Sequence, residues 1–216
     1  MKLKYVLTSL AAAAAIGMTG CGSNGSSDGV NVASLPVFVD DVVDGVTYDC
    51  GQDTAKYGTL THDGGHFGIC PSGSNVTFSI GNLILGTAPY ATDADDGVFF
   101  VTDLVGTTRD DIDNPEVLKI AQVLQSLDSD GDPKNGITIN SKLAADVINE
   151  DVEKGTKLSE IDNLDQGIIT VVGKMNAKDS NNKSKYVDSS DAEEHLAESK
   201  ENIDNGKYKP DVTGAN

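Results

Sequence analysis

The sequence predicts an α+β fold, in which a small antiparallel β-sandwich or open barrel with one disulfide precedes a mainly helical C-terminal half that packs on it. Short apolar segments separated by turns fill residues 35–110, and two cysteines lie among them. Beyond Asn114 the apolar period becomes helical. The predicted boundaries are a signal peptide over 1–20, a flexible Gly/Ser tether over 21–34, a β domain over 35–110, a helical segment with an acidic loop over 111–205 and a disordered tail over 206–216.

Alternating and apolar segments predict the strands of the β domain. Residues 45–50 and 76–80 place apolar side chains at every second position, as in half-buried strands. Apolar runs at 37–43, 83–85 and 98–101 predict further strands. Together, short strands at this spacing favour a sandwich or an open barrel.

A turn sequence flanked by histidines lies inside the β domain. Asp63-Gly64-Gly65 separates His62 from His66 and predicts the tip of a hairpin. The two histidines are either ordinary surface residues or, with Asp63, ligands of a transition metal.

Helical periodicity marks the C-terminal half. Asn114 is a good N-cap and Pro115 suits the first helical position. The apolar stripe that follows consists of Val117, Ile120, Ala121, Leu124 and Leu127. This spacing predicts an amphipathic helix that packs on the sheet.

Four weaker patterns complete the C-terminal half. Residues 141–150 predict a second helix, and a capping box at 190–193 predicts a last helix that runs to about Ile203. The β-branched run at 168–172 predicts one more strand. The polar stretch at 175–185 predicts a loop.

The first twenty residues have the features of a secretory signal peptide. Lys2 and Lys4 precede an apolar run over 5–18, which is short for a membrane span. Met18-Thr19-Gly20-Cys21 resembles a bacterial lipobox, with Met where Leu is usual. The resemblance implies cleavage before Cys21, a lipid on Cys21 and, because Gly22 follows, sorting to the outer membrane. The alternative is ordinary secretion with Cys21 as a spare thiol.

Charge and cysteine content limit the partners and the compartment. The net charge of -18 argues against nucleic-acid binding, because phosphate backbones are held by basic patches. With Cys21 acylated, Cys50 and Cys70 remain, and export would place them in an oxidising compartment. They predict a disulfide, and the alternative is a pair of reduced catalytic or metal-binding thiols.

An acidic loop follows the first predicted helix. Asp128, Asp130 and Asp132 alternate as in the first half of an EF-hand loop, whose carboxylates bind Ca²⁺. Pro133 stands where that loop needs Gly, and Ile139 stands where it needs a bidentate Glu. A calcium site here would need a further ligand such as Asn135. The alternative is a solvated acidic turn.

The sequence lacks the common catalytic motifs. The GxSxG, phosphate-binding glycine-rich and HExxH patterns are absent. His195 lies beside two glutamates in the last predicted helix and is expected to be half-buried. We therefore expect a non-enzymatic protein, with a hydrolase that uses an unrecognised carboxylate pair as an alternative.

Several segments resemble a Cys-containing β module of bacterial surface lipoproteins and adhesin-like proteins. They are Gly45-Val-Thr-Tyr-Asp-Cys50, Gly58-Thr-Leu-Thr with Gly65-His-Phe67, Val76-Thr-Phe-Ser-Ile-Gly81 with Leu85-Gly86, Ala192 with His195-Leu196 and, most specifically, Ile120-Ala-Gln-Val-Leu-Gln-Ser-Leu-Asp-Ser-Asp-Gly-Asp-Pro-Lys-Asn-Gly-Ile-Thr-Ile139. The resemblance covers most of residues 37–203 and implies an exported, anchored, non-catalytic module.

Three functions remain open at this point. The first is a lipid-anchored structural or adhesive component of the outer membrane, on its periplasmic face or on the cell surface, that associates with itself or with other envelope proteins. The second is an envelope protein that binds calcium or a small ligand. The third is the hydrolase. We expect a pocket to favour the second or third function, and exposed strand edges to favour the first.

Overall fold

The computed structural model of the chain describes residues 35–51, 60–90 and 97–208. Within these ranges the chain forms eight short strands and four α-helices. The strands are β1 (Val37–Val39), β2 (Val43–Asp44), β3 (Thr47–Asp49), β4 (Asn75–Ile80), β5 (Leu83–Pro89), β6 (Val98–Phe100), β7 (Ile137–Thr138) and β8 (Thr156–Lys157). The helices are α1 (Pro115–Ser126), α2 (Ser141–Asp151), α3 (Leu164–Lys178) and α4 (Ser189–Asp204). The predicted α+β class is therefore confirmed.

The strands form three small sheets. One has the order β3-β4-β5-β8, and β1-β6 and β2-β7 are two-stranded. Only β3-β4 and β4-β5 pair in antiparallel fashion, whereas β1-β6, β2-β7 and β5-β8 are parallel. The described strands do not close into a barrel, and the predicted sandwich is not confirmed. The expectation of antiparallel pairing failed because β6, β7 and β8 pair with strands that are distant in sequence.

The β4-β5 hairpin is the most regular part of the sheet. Val76, Phe78 and Ile80 are buried, and the residues between them are more exposed, as the alternation predicts. Gly81 closes the turn with φ +56°, and a Cβ there would lie 2.5 Å from Oδ1 of Asn149 in α2. Glycine is therefore needed both for the turn and for the close approach of α2.

An aromatic cluster forms the centre of the N-terminal half. The rings of Phe38 and Phe78 stack at 4.4 Å, and Phe67 meets Phe78 edge-on at 5.2 Å. Phe99 contacts Phe67, and Tyr90 stacks on Phe99. The cluster joins β1, β4 and β6, so two different sheets share one core.

Helix α1 begins where its sequence predicts, but its main contacts are with α3 and α4 and not, as expected, with the sheet. The side chain of Asn114 accepts a hydrogen bond from the amide of Glu116 at 3.0 Å, and Pro115 opens the helix. The predicted stripe is buried against α3 and α4. Helix α2 has a similar cap at Asn140 and contacts β4 and α3.

Helix α3 corrects two predictions. The run at 168–172 is helical, not a strand, and the helix continues to Lys178 into the stretch predicted as a loop. Ile168, Val172 and Met175 are buried on one face, and burial of that face outweighs the strand preference of β-branched residues.

Helix α4 lies close to its predicted bounds but has a different cap. The predicted capping box began at Ser190, whereas the helix begins one residue earlier. Asp188 is the N-cap and accepts hydrogen bonds from the amides of Ser190 and Asp191 at 2.9 and 3.0 Å. A carboxylate at this end is also favoured by the helix dipole.

Candidate functional site

The predicted disulfide is present. Cys50 and Cys70 are bonded, with their Cα atoms 5.6 Å apart, and both are buried. The bond ties the end of β3 to the segment before β4. Cys21, by contrast, lies outside the described residues, as do the segments 1–20 and 21–34, so the lipid anchor stays a prediction.

In the acidic loop, both carboxylate oxygens of Asp128 accept hydrogen bonds from nearby backbone amides. Asp128 is buried; its Oδ1 accepts from the amide of Thr138 and its Oδ2 from that of Asp132, each at 2.9 Å. Burial and the neighbouring Asp130 raise the pKa of Asp128 to about 6, against the hydrogen bond from Thr138. Asp128 thus holds the loop against the start of β7.

Asp130 and Asn135 also interact within the loop. Asp130 accepts from the amide of Asp132 at 2.9 Å and from Nδ2 of Asn135 at 3.1 Å. Its hydrogen bond with Asp128 is the main cause of its lowered pKa. No three acidic, histidine or cysteine side chains of the described residues are arranged to hold a metal ion. Calcium binding by Asp128, Asp130, Asp132 and Asn135 remains a prediction, and the structure provides a different use for two of these carboxylates.

The histidines around residue 64 flank a tight turn. His62 and His66 pair across it, and Nδ1 of His62 is 2.8 Å from Oδ2 of Asp63. The carboxylate of Asp44 accepts hydrogen bonds from the amides of Gly64 and Gly65. The carboxylate of Asp44 therefore stabilises the turn through its backbone amides. The sequence pattern did not indicate this contact.

A buried polar cluster was missed by the sequence reasoning. Asp40 is fully buried, and its Oδ2 accepts from Nε2 of Gln125 at 3.0 Å. Its Oδ1 lies 3.7 Å from Nε2 of His195, which is buried, not half-buried as expected. Burial raises the pKa of Asp40 to about 6, although His195 and Gln125 oppose the shift. In the sequence, the buried carboxylate was indicated only by Asp40 and Asp41, which interrupt the apolar run at 37–43.

The second missed feature is an apolar cleft of about 370 Å³ between α1, α2 and α3. Its floor consists of the buried side chains of Leu83, Val123, Leu127, Ile148, Leu158 and Ile168. Half-buried side chains of the wall are Val152, Ile161, Leu164 and Val171. Apolar lining of this extent with a few polar groups is typical of small-molecule sites.

The rim of the cleft is polar and electrically balanced. Asn163, Gln166 and Thr170 lie at the rim. Asp151 is the only charged residue among those that line the cleft, and Nζ of Lys174 lies 2.6 Å from its carboxylate. Lys174 also contacts Glu150, and these carboxylates raise its pKa. The cleft therefore has no unpaired charge to bind an ionic ligand.

Gly167 adds open space to the α3 wall. It lines the cleft, and a Cβ at this position would meet no atom within 4 Å. Gly173, on the same helix, has equally open surroundings but does not line the cleft. The two glycines form a natural matched pair for experiments.

The sequence contained a signal for this wall. Leu164, Ile168, Val171, Val172 and Met175 follow helical spacing, but the β-branched run that contains three of them favoured a strand. Because the strand prediction replaced α3, the wall of the cleft that α3 forms could not be predicted.

In comparisons with known proteins, no family model, no curated protein and no solved structure matches the chain. Among the helices of the described residues, none combines the length and apolar character needed to cross a bilayer. The site is therefore interpreted from its own geometry.

Proposed function

We propose that the protein is a lipid-anchored bacterial cell-envelope protein, without catalytic activity, that binds a small uncharged apolar ligand in the cleft between α1, α2 and α3. The cleft is the observation that carries the proposal, because it is concave and apolar and is lined mainly by residues of three helices. Its volume of about 370 Å³ suits a ligand of two or three rings or a short chain.

The charge distribution supports an uncharged ligand. The net charge of -18 repels anions, and the only carboxylate of the lining is paired with Lys174. An ionic ligand would lose its hydration without gaining a partner in the cleft. The polar end of a neutral ligand can instead bond to Asn163 or Gln166 at the rim.

The structural or adhesive role stays a prediction with less support. Addition of strands from other molecules needs a free sheet edge. The start of β3 is covered on its outer edge by Leu60, which pairs with Thr47. Just before the strand, Thr61 exchanges backbone hydrogen bonds of 2.8 Å with Gly45 and Val46. At the other edge, β8 has only two residues. These features favour ligand binding over strand addition.

The cleft is tested with phenylnaphthylamine, a neutral apolar dye that fluoresces when buried. We expect saturable binding at one site per chain, and weaker binding of the anionic dye anilinonaphthalene sulfonate. Gly167→Leu should reduce the affinity for the neutral dye about tenfold by filling the cleft. Gly173→Leu, the matched control, should leave it unchanged.

Two results would overturn the assignment. One is the absence of saturable dye binding by the folded protein. The other is an equal loss of affinity in both leucine variants, which would place the dye elsewhere. Dye binding that weakens as the protein dimerises in sedimentation would identify a second copy as the occupant in place of a small molecule.

The anchor needs its own experiment. Mass spectrometry of the protein from bacterial membranes should find a diacylated or triacylated amino terminus at Cys21, and Cys21→Ser should release the protein from the membrane fraction. An unprocessed amino terminus would exclude the lipid anchor while leaving the dye experiment valid.

A further inference from the structure

Helix α3 forms one wall of the cleft, and its two halves are held differently. In the C-terminal half, Met175 is fully buried. Lys174 and Lys178 contact Glu150 of α2 at 3.1 and 2.7 Å. In the N-terminal half, Ile168 and Val172 are buried, but none of the ion pairs to α2 among the described residues involves this half.

The start of α3 lacks the usual side-chain cap. Asn163 occupies the N-cap position, but its side chain makes no capping hydrogen bond, so helix-start amides are left without that partner. The first turn is held to α1 by Asp165, whose Oδ1 accepts from Nε2 of Gln122 at 3.2 Å. This contact, which we term the latch, joins the start of α3 to α1 outside the cleft, since neither residue lines the cleft.

The composition of the N-terminal half opposes a helix. β-Branched residues fill positions 168–172, and such residues lose side-chain freedom in helices. The hydroxyl of Thr170 donates to the carbonyl of Gln166 at 2.8 Å, a local bond that weakens and bends helices. Ile169 is 46% exposed, so its burial contributes little.

The two glycines weaken the helix without a packing requirement. Neither Gly167 nor Gly173 has an atom within 4 Å of the position that a Cβ would take, so alanine would fit at both. Glycine costs more backbone entropy than alanine in a helix. Gly173 also separates the half without ion pairs to α2 from the half that Lys174 and Lys178 anchor on α2.

From these observations, we propose that the N-terminal half of α3, residues 164–172, is a movable wall that admits ligand to the cleft. The wall opens when the Asp165–Gln122 latch breaks and the helix unwinds as far as Gly173. It closes when a bound ligand supplies apolar contacts to Leu164, Ile168 and Val171. The inference rests on the proposed function, since it concerns access to the same cleft.

Stopped-flow binding of phenylnaphthylamine to the full chain tests the movement. Gly173→Ala stabilises the helix outside the cleft, so it should slow both entry and release of the dye about fivefold with little change in affinity. Asp165→Ala removes the latch and should speed entry about fivefold. Glu193→Ala on the exposed surface of α4 is the control and should change neither rate.

Hydrogen exchange of the wild-type protein provides a measurement without variants. Amides of residues 168–172, which follow the unpaired first turn, should exchange faster than those of 174–178, and saturation with the dye should slow them. Exchange as slow as in α1, or rates of dye entry that are identical in Gly173→Ala and wild type, would overturn the movable wall. Both results are obtained with a protein that binds the dye, whereas failure of the proposed function is the absence of binding.

Discussion

Asp40 and Gln125 are 85 positions apart in sequence and share a buried hydrogen bond of 3.0 Å between Oδ2 and Nε2. The bond joins the end of β1 to the last turn of α1. His195 of α4 approaches the other carboxylate oxygen at 3.7 Å. One buried carboxylate therefore connects the β region with two helices of the C-terminal half, and its protonation should affect the stability of both.

Asp40→Asn should stabilise the protein at neutral and alkaline pH. The folded-state pKa of Asp40 is raised to about 6 from an ordinary 3.8, so the folded protein binds the proton more tightly than the unfolded chain. The contribution of Asp40 to stability is then greatest below about pH 4 and decreases as the pH rises to about 6. Asparagine retains an acceptor for Gln125 and should gain about 1–3 kcal/mol at about pH 8.

Urea denaturation at about pH 4 and about pH 8 provides the measurement for Asp40. The variant should differ little from wild type at the lower pH. Asp162→Asn, at an exposed position, is the control and should have a small effect at both. A loss of stability at about pH 8 in Asp40→Asn would contradict the prediction.

Loss of the disulfide should destabilise the β region. Cys50 and Cys70 close a loop with a sequence separation of 20, for which the chain-entropy estimate is about 3 kcal/mol. A variant with both cysteines replaced by alanine should show a correspondingly lower melting temperature. Dithiothreitol should lower the melting temperature of wild type and have no such effect on the variant; equal sensitivity would contradict the role of this bond.

Asp128→Ala should destabilise the acidic loop by about 3 kcal/mol, because the amides of Thr138 and Asp132 lose their acceptor. Asp128→Asn retains one acceptor oxygen, so its free energy of unfolding should decrease less than that of Asp128→Ala. We expect the same ranking in buffers with Ca²⁺ and with EDTA. If Ca²⁺ raises the wild-type melting temperature and Asp130→Ala removes that rise, the calcium site predicted from sequence is correct.

Gly131→Ala should cost more stability than Gly106→Ala. Both glycines have φ near +77°, at +76° and +77° respectively, so both variants incur the penalty of a left-handed conformation. At Gly131 the added Cβ would also lie 2.6 Å from the carbonyl oxygen of Lys183, whereas Gly106 has open space. Thermal unfolding should show an additional loss of about 1–3 kcal/mol for Gly131→Ala; equal losses would mean that the loop relaxes away from Lys183.

The ends and faces of α1 and the β4-β5 hairpin were predictable because their signals are local. Asn114 and Pro115 specify the start of α1, and Gly81 specifies a turn, through the conformations of single residues. The disulfide was predictable because only two cysteines remain after Cys21 is set aside. The candidate cleft was not predicted, since it is formed by side chains from α1, α2 and α3 that lie far apart in sequence.

The sequence alone determined the α+β class, the strong negative charge, the disulfide and the start of α1, because composition, periodicity and capping act over a few residues. Tertiary structure decided the parallel pairing of β6, β7 and β8, the helical state of residues 168–172 and the burial of Asp40 beside Gln125. Each of these depends on partners distant in sequence. In α3 the free energy of burying Ile168, Val172 and Met175 exceeds the local preference of β-branched residues for a strand.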